Sequence, residues 1–399
     1  MQRIFVKIFI CVLATCWISN VWRVCGTLSK KDKKDRKNKE NRMPHLETNV
    51  MSRGLVVENP KTRDIIKFHS SYYKNTTEVN FEGEVLVYVT PWNSHGYDIA
   101  KIFSSKFTYV SPVWLQVKRR KTGNFAIEGG HDIDQGWMAD VRKGGKHVKI
   151  VPRILFDQWS LNDFHIIFSS ETALLSLIDT IVSFLRVNHF DGLTLEVWSQ
   201  YRGDTKENLY LLVSKMADVL HKEKMKIILV IPPPFYAGEK LGAFNKHDFE
   251  LLAPVLDGFS LMTYDYSSQG RPQAVTRYSC VSLYGKDRIS DVSPEKGKQR
   301  SKILLGLNFY GQDFTSGGGG LIVSHRYVEL LTKHKTEKLV WEEAVGEHSF
   351  SFSAAGSNHI VFYPTLKSIQ VRLDLARELE VGISIWEIGQ GLDYFYDLL

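Results

Sequence analysis

The sequence predicts an α/β protein: a (β/α)8 TIM barrel with a small α+β insertion between strand seven and the last barrel helix. Three observations lead there. Short runs of Val, Ile, Leu and Phe recur eight times between residues 85 and 386, and such near-continuous apolar runs suit parallel strands covered on both faces. Amphipathic stretches alternate with them, the pattern of repeated strand–helix units. The turn after the first run carries no Gly-rich phosphate loop, which argues against an open doubly wound sheet.

Taken in order, the strands are expected at Val85–Pro91, Tyr109–Lys118, Lys149–Phe156, Asp191–Trp198, Lys226–Pro232, Gly258–Asp265, Lys302–Tyr310 and Gly382–Trp386. The helices are expected at Tyr97–Phe107, Gly136–Gly144, Ser170–Asn188, Thr205–Lys224, His247–Pro254, Pro272–Tyr284 and Leu366–Glu380. Ser170–Asn188 opens on Ser-Ser-Glu, a capping signal, and repeats Leu, Ile and Val at helical spacing. Asp98 is expected to cap the first helix, and Pro232–Pro234 to stiffen the exit of the fifth strand. The connection from Tyr310 to Leu366 is too long for a simple loop. It holds Gly317–Gly320 and the strand-like pieces Lys338–Trp341 and His359–Tyr363, and reads as an insertion over about residues 312–364 that walls one side of a cleft.

Length and composition agree with a large folded body. The chain has 399 residues, 43% hydrophobic and 24% charged, which excludes a disordered or collagen-like protein. Its net charge of +7 is confined to one end. Residues 1–26 carry three basic residues and no acid, and residues 27–42 carry eight basic against three acidic. The remainder, 40 basic against 41 acidic, offers a polyanion nothing, so no nucleic-acid partner is expected.

Arg3 and Lys7 followed by the apolar run Ile8–Ile18 read as a secretory signal peptide over 1–26, with cleavage near Gly26 and no transmembrane segment afterwards. Residues 27–53 read as a basic flexible linker and 54–399 as the barrel domain. Removal of the leader would leave Cys280 as the only cysteine, so the core rather than disulfides must hold the fold. Asn75-Thr76-Thr77 is a glycosylation sequon, and a secreted or lysosomal and endosomal lumenal location is expected.

In this fold a site assembles at the C-terminal ends of the strands. Those ends are aromatic: Tyr88 and Trp92 after strand one, Trp114 in strand two, Trp159 after strand three, and Trp198 after Glu196 on strand four. Met262, Tyr264 and Asp265 end strand six, Tyr310 strand seven and Trp386 strand eight. Rings converging on one mouth suit a flat ligand with apolar faces and polar edges, such as a sugar. His131-Asp-Ile-Asp134 has no matching His or Cys partners, so it reads as a charged loop, and neither metal nor cofactor is expected.

FDGLTLEVW on strand four, MTYDY on strand six, GLNFYG on strand seven and ISIWE on strand eight resemble glycoside hydrolase family 18, the chitinases and chitinase-like lectins. The resemblance covers roughly residues 80–399. It implies that Met262, Tyr264 and Asp265 shape a pocket for the acetamido group and that Trp386 is its stacking floor. It further implies chito-oligosaccharides and bacterial lipopolysaccharide as ligands, a stabilin-type scavenger receptor as partner, and a role in innate immune or endotoxin sensing. Active members carry DGxDxDxE on strand four, the last Glu protonating the leaving oxygen while the substrate's acetamido group acts as nucleophile. Aligning Asp191-Gly192 to that motif sets Thr194, Glu196 and Trp198 at the Asp, Asp and Glu positions, and strand alternation points all three into the lumen. Trp198 has no transferable proton, and Glu196 lies two residues deeper, roughly 6.6 Å by strand rise. The sequence thus leads to a carbohydrate-binding lectin with no catalytic residue, not an enzyme, the alternative being a weakly active hydrolase with a displaced carboxylate at Glu196 or Glu387.

Overall fold

The computed structural model describes residues 45–120, 122–201, 206–233, 242–264, 297–315, 317–335, 338–343, 345–354 and 356–399, with backbone alone at 235–236 and 240–241. The expected leader, most of the basic linker, Asp265, the Pro272–Tyr284 helix and Cys280 lie outside these residues.

Eight parallel strands close on themselves. They are β1 (Val85–Val89), β2 (Tyr109–Pro112 and Leu115–Arg119), β3 (Lys149–Ile150 and Arg153–Leu155), β4 (Gly192–Glu196), β5 (Lys226–Ile231), β6 (Gly258–Leu261), β7 (Ile303–Asn308) and β8 (Gly382–Trp386). Ile385 of β8 sits opposite Val87 of β1, which completes the ring. The fold class is the (β/α)8 barrel that the apolar runs predict. β2 and β3 are each interrupted mid-strand, and their halves pair in the same order, Val110 with Ile150 and Leu115 with Ile154.

Helices α1 (Ser94–Ile102), α2 (Gln135–Gly144), α3 (Glu171–Val187), α4 (Glu207–Lys222), α5 (Lys246–Leu252) and α6 (Leu366–Leu379) are among those covering the barrel. Their starts have local causes. Ser170 caps α3 by accepting from Ala173 N, as its Ser-Ser-Glu opening suggests. Asn93, not Asp98, caps α1 by accepting from His95 N; Asp98 lies inside the helix, buried beside Lys101. Asp134 caps α2 by accepting from Trp137 N, a structural use for the end of the His131–Asp134 run. Gly192 opens β4 at φ 149°, where an added Cβ would stand 2.1 Å from the Lys226 carbonyl; only glycine lets β4 and β5 approach this closely.

The alternation of side chains divides the apolar residues into two cores. Val85, Val87 and Val89 face the helices within the large outer core. Leu86, Tyr88, Tyr109, Val113, Val151, Ile228 and Leu304 fill the lumen, with Trp386 packed on top. Between β7 and α6, five antiparallel strands (Gly311–Thr315, Gly318–Ile322, Val340–Glu342, Glu347–Ala354 and Ser357–Tyr363) and the helix Ser324–Lys333 form the insertion.

Candidate active site

The upper lumen is polar. Tyr88 donates to Ser260 Oγ at 2.8 Å, and Ser260 in turn donates to Ser384 Oγ at 3.2 Å, joining β1, β6 and β8. Ser111 donates to Thr194 Oγ1 at 3.2 Å, joining β2 and β4. Burial raises the pKa of the Tyr88 hydroxyl, so it remains a hydrogen-bond donor. The Trp386 ring rests on this layer, 5.1 Å from the Tyr88 ring at 56°; Tyr88 is 2% exposed and supports the indole from below rather than meeting a ligand itself. Trp386 and Met262 are half-buried, and the half-buried Tyr264 lies over Gly306, where an added Cβ would come within 3.0 Å of its ring. Trp92, 45% exposed, stands on the rim after β1.

Glu196 is the last residue of β4, and its side chain is 17% exposed. Its Oε2 accepts from Arg153 Nη1 at 2.9 Å across the β3–β4 junction. Arg153 was missed by the sequence reading. The available signal was a single cation inside the apolar run KIVPRILF, where a charge persists only with a partner.

Four sequence expectations need correction. Trp198 does not face the lumen. The chain leaves the strand after Glu196, and the indole packs into the helix layer, 5.1 Å from the Phe244 ring and 6.0 Å from Tyr210 of α4, with Nε1 donating to the Ala243 carbonyl. At 2% exposure it neither blocks nor lines the mouth. Trp114 is likewise turned outward, because the break in β2 resets the alternation; it packs on Tyr97, Trp137 and Phe190 and donates to the Tyr97 hydroxyl. Trp159 packs against Phe125, Phe156 and Phe164 and donates to the Val117 carbonyl, joining the outer core rather than the lumen cluster. Glu387, the other carboxyl considered for catalysis, is 0% exposed behind Trp386 and cannot touch a substrate. Tyr310 is buried at the exit of β7. Asn75 is exposed, its Oδ1 accepting from Thr77 Oγ1 at 2.8 Å.

Beneath the platform, Glu387 Oε1 accepts from Asn93 Nδ2 at 2.6 Å and Oε2 from Gly389 N at 3.2 Å. Burial pushes this carboxyl up to about 7, against the bonds from Asn93 and Gly389, the nearby Thr90 hydroxyl and the charge of His95. His95 lies 2.7 Å from Asp393. Burial disfavours its charged ring, but the hydrogen bond and charge of Asp393, with Asp98 and Glu387, outweigh that and raise its pKa. Among the described residues no three His, Cys, Asp or Glu side chains are placed to hold a metal ion.

Residues 84–391 match the sequence pattern of the glycosyl hydrolases family 18. The chain belongs to that family. Human chitinase-3-like protein 2 is 24% identical over 263 residues, covering 56% of this chain and 65% of that protein. The cortical fragment-lytic enzyme of Bacillus anthracis is 28% identical over 165 residues, 39% of this chain and 37% of that enzyme. The matches thus span less than two thirds of either relative's length. A solved chitinase from Chromobacterium violaceum shares the family 18 fold with a TM-score of 0.65 and 19% identity, over 79% of this chain and 98% of the chitinase. The sequence matches to the lytic enzyme and to chitinase 1 of Aphanocladium album overturn the expectation that the chain is not an enzyme.

Proposed function

We propose that this family 18 chain binds oligosaccharides of N-acetylglucosamine on the Trp386 indole, which Tyr88 supports from the lumen, and hydrolyses them with Glu196 as the reacting carboxyl. The supporting observation is that Glu196, not residue 198, is the uppermost lumen-facing side chain of β4 and reaches solvent at the mouth. In the substrate-assisted route the acetamido oxygen bonds to the anomeric carbon as the glycosidic C–O bond breaks. Glu196 gives its proton to the leaving oxygen only when it is protonated and released from the Arg153 pair, and the water that opens the cyclic intermediate returns one. Glu196 stands two residues short of the family's acid position, so slow turnover is expected.

The proposal extends to bacterial lipopolysaccharide as a second glycan ligand, a stabilin-type scavenger receptor as partner, and residence in a secretory or lysosomal lumen. The family resemblance supports the first two, and the apolar leader at 8–18 and the Asn75 sequon support the third.

Incubation of chitotetraose with the purified protein, read by mass spectrometry, tests the core claim. The parent is expected to release shorter sugars, and Glu196→Gln to do so about 10²–10⁴ times more slowly while still binding. A parent without turnover, or a Glu196→Gln protein as fast as the parent, overturns it.

A further inference from the structure

Trp386 ends β8, and the next residue turns inward. The Glu387 carboxyl lies against the first turn of α1, where an added Cβ on Gly96 would come within 3.3 Å of Oε2. Its donors, Asn93 Nδ2 and Gly389 N, are neutral and come from the two segments that flank the indole: the β1 exit and the 3-10 turn Ile388–Gln390. Thr90 Oγ1, at the end of β1, is buried beside the same carboxyl without a well-directed hydrogen bond of its own. Gly389 is clasped equally closely, an added Cβ there falling 2.6 Å from Asn93 Nδ2.

Titratable groups face Glu387 from each neighbouring element. α1 brings His95 and, behind it, Asp98 with Lys101. The C-terminal 3-10 segment Asp393–Leu398 brings Asp393 and Tyr396, and the last insertion strand brings Tyr363. His95, the base whose charge acts on Glu387, has its Nε2 committed to Asp393. Ionised, Glu387 is therefore a buried charge held by neutral donors, a state that favours opening the cluster to water.

We propose that Glu387 is the positioning residue of the platform. Glu387 ties the β8 exit to Asn93 and Gly389 and holds Trp386 over the mouth; neutral, it leaves the cluster dry, whereas ionised it is a buried charge that draws water in despite those bonds, so that the exit loosens and sugar stacking on Trp386 weakens. The consequence for ligands rests on the reading of Trp386 as the sugar platform, whereas the movement of the indole does not. Burial has already moved this carboxyl to about 7, between the acidity of a lysosome and that of a neutral fluid.

The test is fluorine NMR of the protein labelled with 5-fluorotryptophan, the Trp386 resonance being assigned by its loss in Trp386→Phe. In the parent that resonance is expected to move with pH, with a midpoint near 7, and in Glu387→Gln to stay in place. Asn93→Ala removes a bond that favours the ionised carboxyl, so its midpoint moves upward, a readout that remains if Glu387→Gln fails to fold. A Trp386 resonance indifferent to pH, titrating alike in Glu387→Gln, or unmoved in midpoint by Asn93→Ala overturns the proposal. Chitotetraose affinity is then compared at about pH 5.5 and 8.5, with about a tenfold fall expected in the parent and almost none in Glu387→Gln. A protein whose Trp386 resonance titrates but which binds no sugar at either pH sinks the oligosaccharide reading and supports the positioning role.

Discussion

Arg153 Nη1 lies 2.9 Å from Glu196 Oε2, an ion pair that ties β3 to β4 where the lumen meets solvent. The two sides are unequally covered, with Arg153 4% and Glu196 17% exposed. Glu196 is thus held in one orientation by a partner that is itself held by the barrel wall. The pair fixes the orientation of the carboxyl on its strand, and its use as an acid requires that the pair open.

Replacing Arg153 by Met should therefore cost stability as well as orientation. Removing one partner of a buried pair costs about 3–5 kcal/mol, and the partial exposure of Glu196 sets the expectation near the lower end. Urea unfolding measures it. In the Arg153→Met/Glu196→Gln double variant the loss should be smaller than the sum of the singles, because the uncompensated charge is gone. Additive losses would show that the pair is not coupled.

Trp198 offers the reverse case, a residue at a motif position with a purely structural job. Trp198→Ala should destabilise the fold by about 3–5 kcal/mol, the usual cost of emptying a fully packed aromatic site. Trp198→Glu restores the family's residue in sequence but not in space: the carboxyl would be buried against Phe244 and the Ala243 carbonyl. It should unfold more readily than the parent and gain no hydrolysis of chitotetraose. A gain in rate would show that the side chain swings into the lumen.

The platform itself is tested by Trp386→Ala. Central aromatic anchors commonly contribute about 2 kcal/mol, so chitotetraose affinity should fall roughly 30-fold by calorimetric titration. Trp114→Phe, in the outer layer, should leave that affinity unchanged. Equal losses in the two variants would remove the distinction between mouth and outer core.

The difference between those two tryptophans also explains what could be read from the chain alone. The strands were visible because parallel strands buried on both faces leave apolar runs, and each observed barrel strand falls within the expected segment or one residue beyond it. Facing was not visible wherever a strand breaks. Val113 points into the lumen while Trp114 and Leu115 both join the outer core, and the interruption between Pro112 and Leu115 is a tertiary feature without a local signal. The same failure at the end of β4 misplaced Trp198, since alternation holds only while the strand lasts. Short elements outside the apolar runs, such as the Phe125–Glu128 strand and the Leu161–Ser169 helix, were absent from the reading for want of periodicity over enough residues.

Glu387 also predicts how stability responds to pH. Its carboxyl titrates near 7 in the fold and near 4.5 in the unfolded chain, so folding takes up a proton between those values. The contribution is fully present below about pH 4.5 and lost as pH rises through 7, a span worth about 3 kcal/mol for a fully buried group. His95, raised by Asp393, loses its contribution in the same direction as pH passes its folded value. Burial lowers the pKa of His348 and acts oppositely, so the parent's pH curve alone is ambiguous. The difference between parent and Glu387→Gln is not, because the amide keeps a neutral acceptor for Asn93 and cancels the titrations uncoupled to Glu387, leaving that of Glu387 with its effect on His95. That difference, from urea unfolding at a series of pH values, should shift by up to about 3 kcal/mol against the parent from acid to mildly alkaline conditions. A flat difference would mean that water already reaches Glu387 in the folded protein and that its burial behind Trp386 is not maintained in solution.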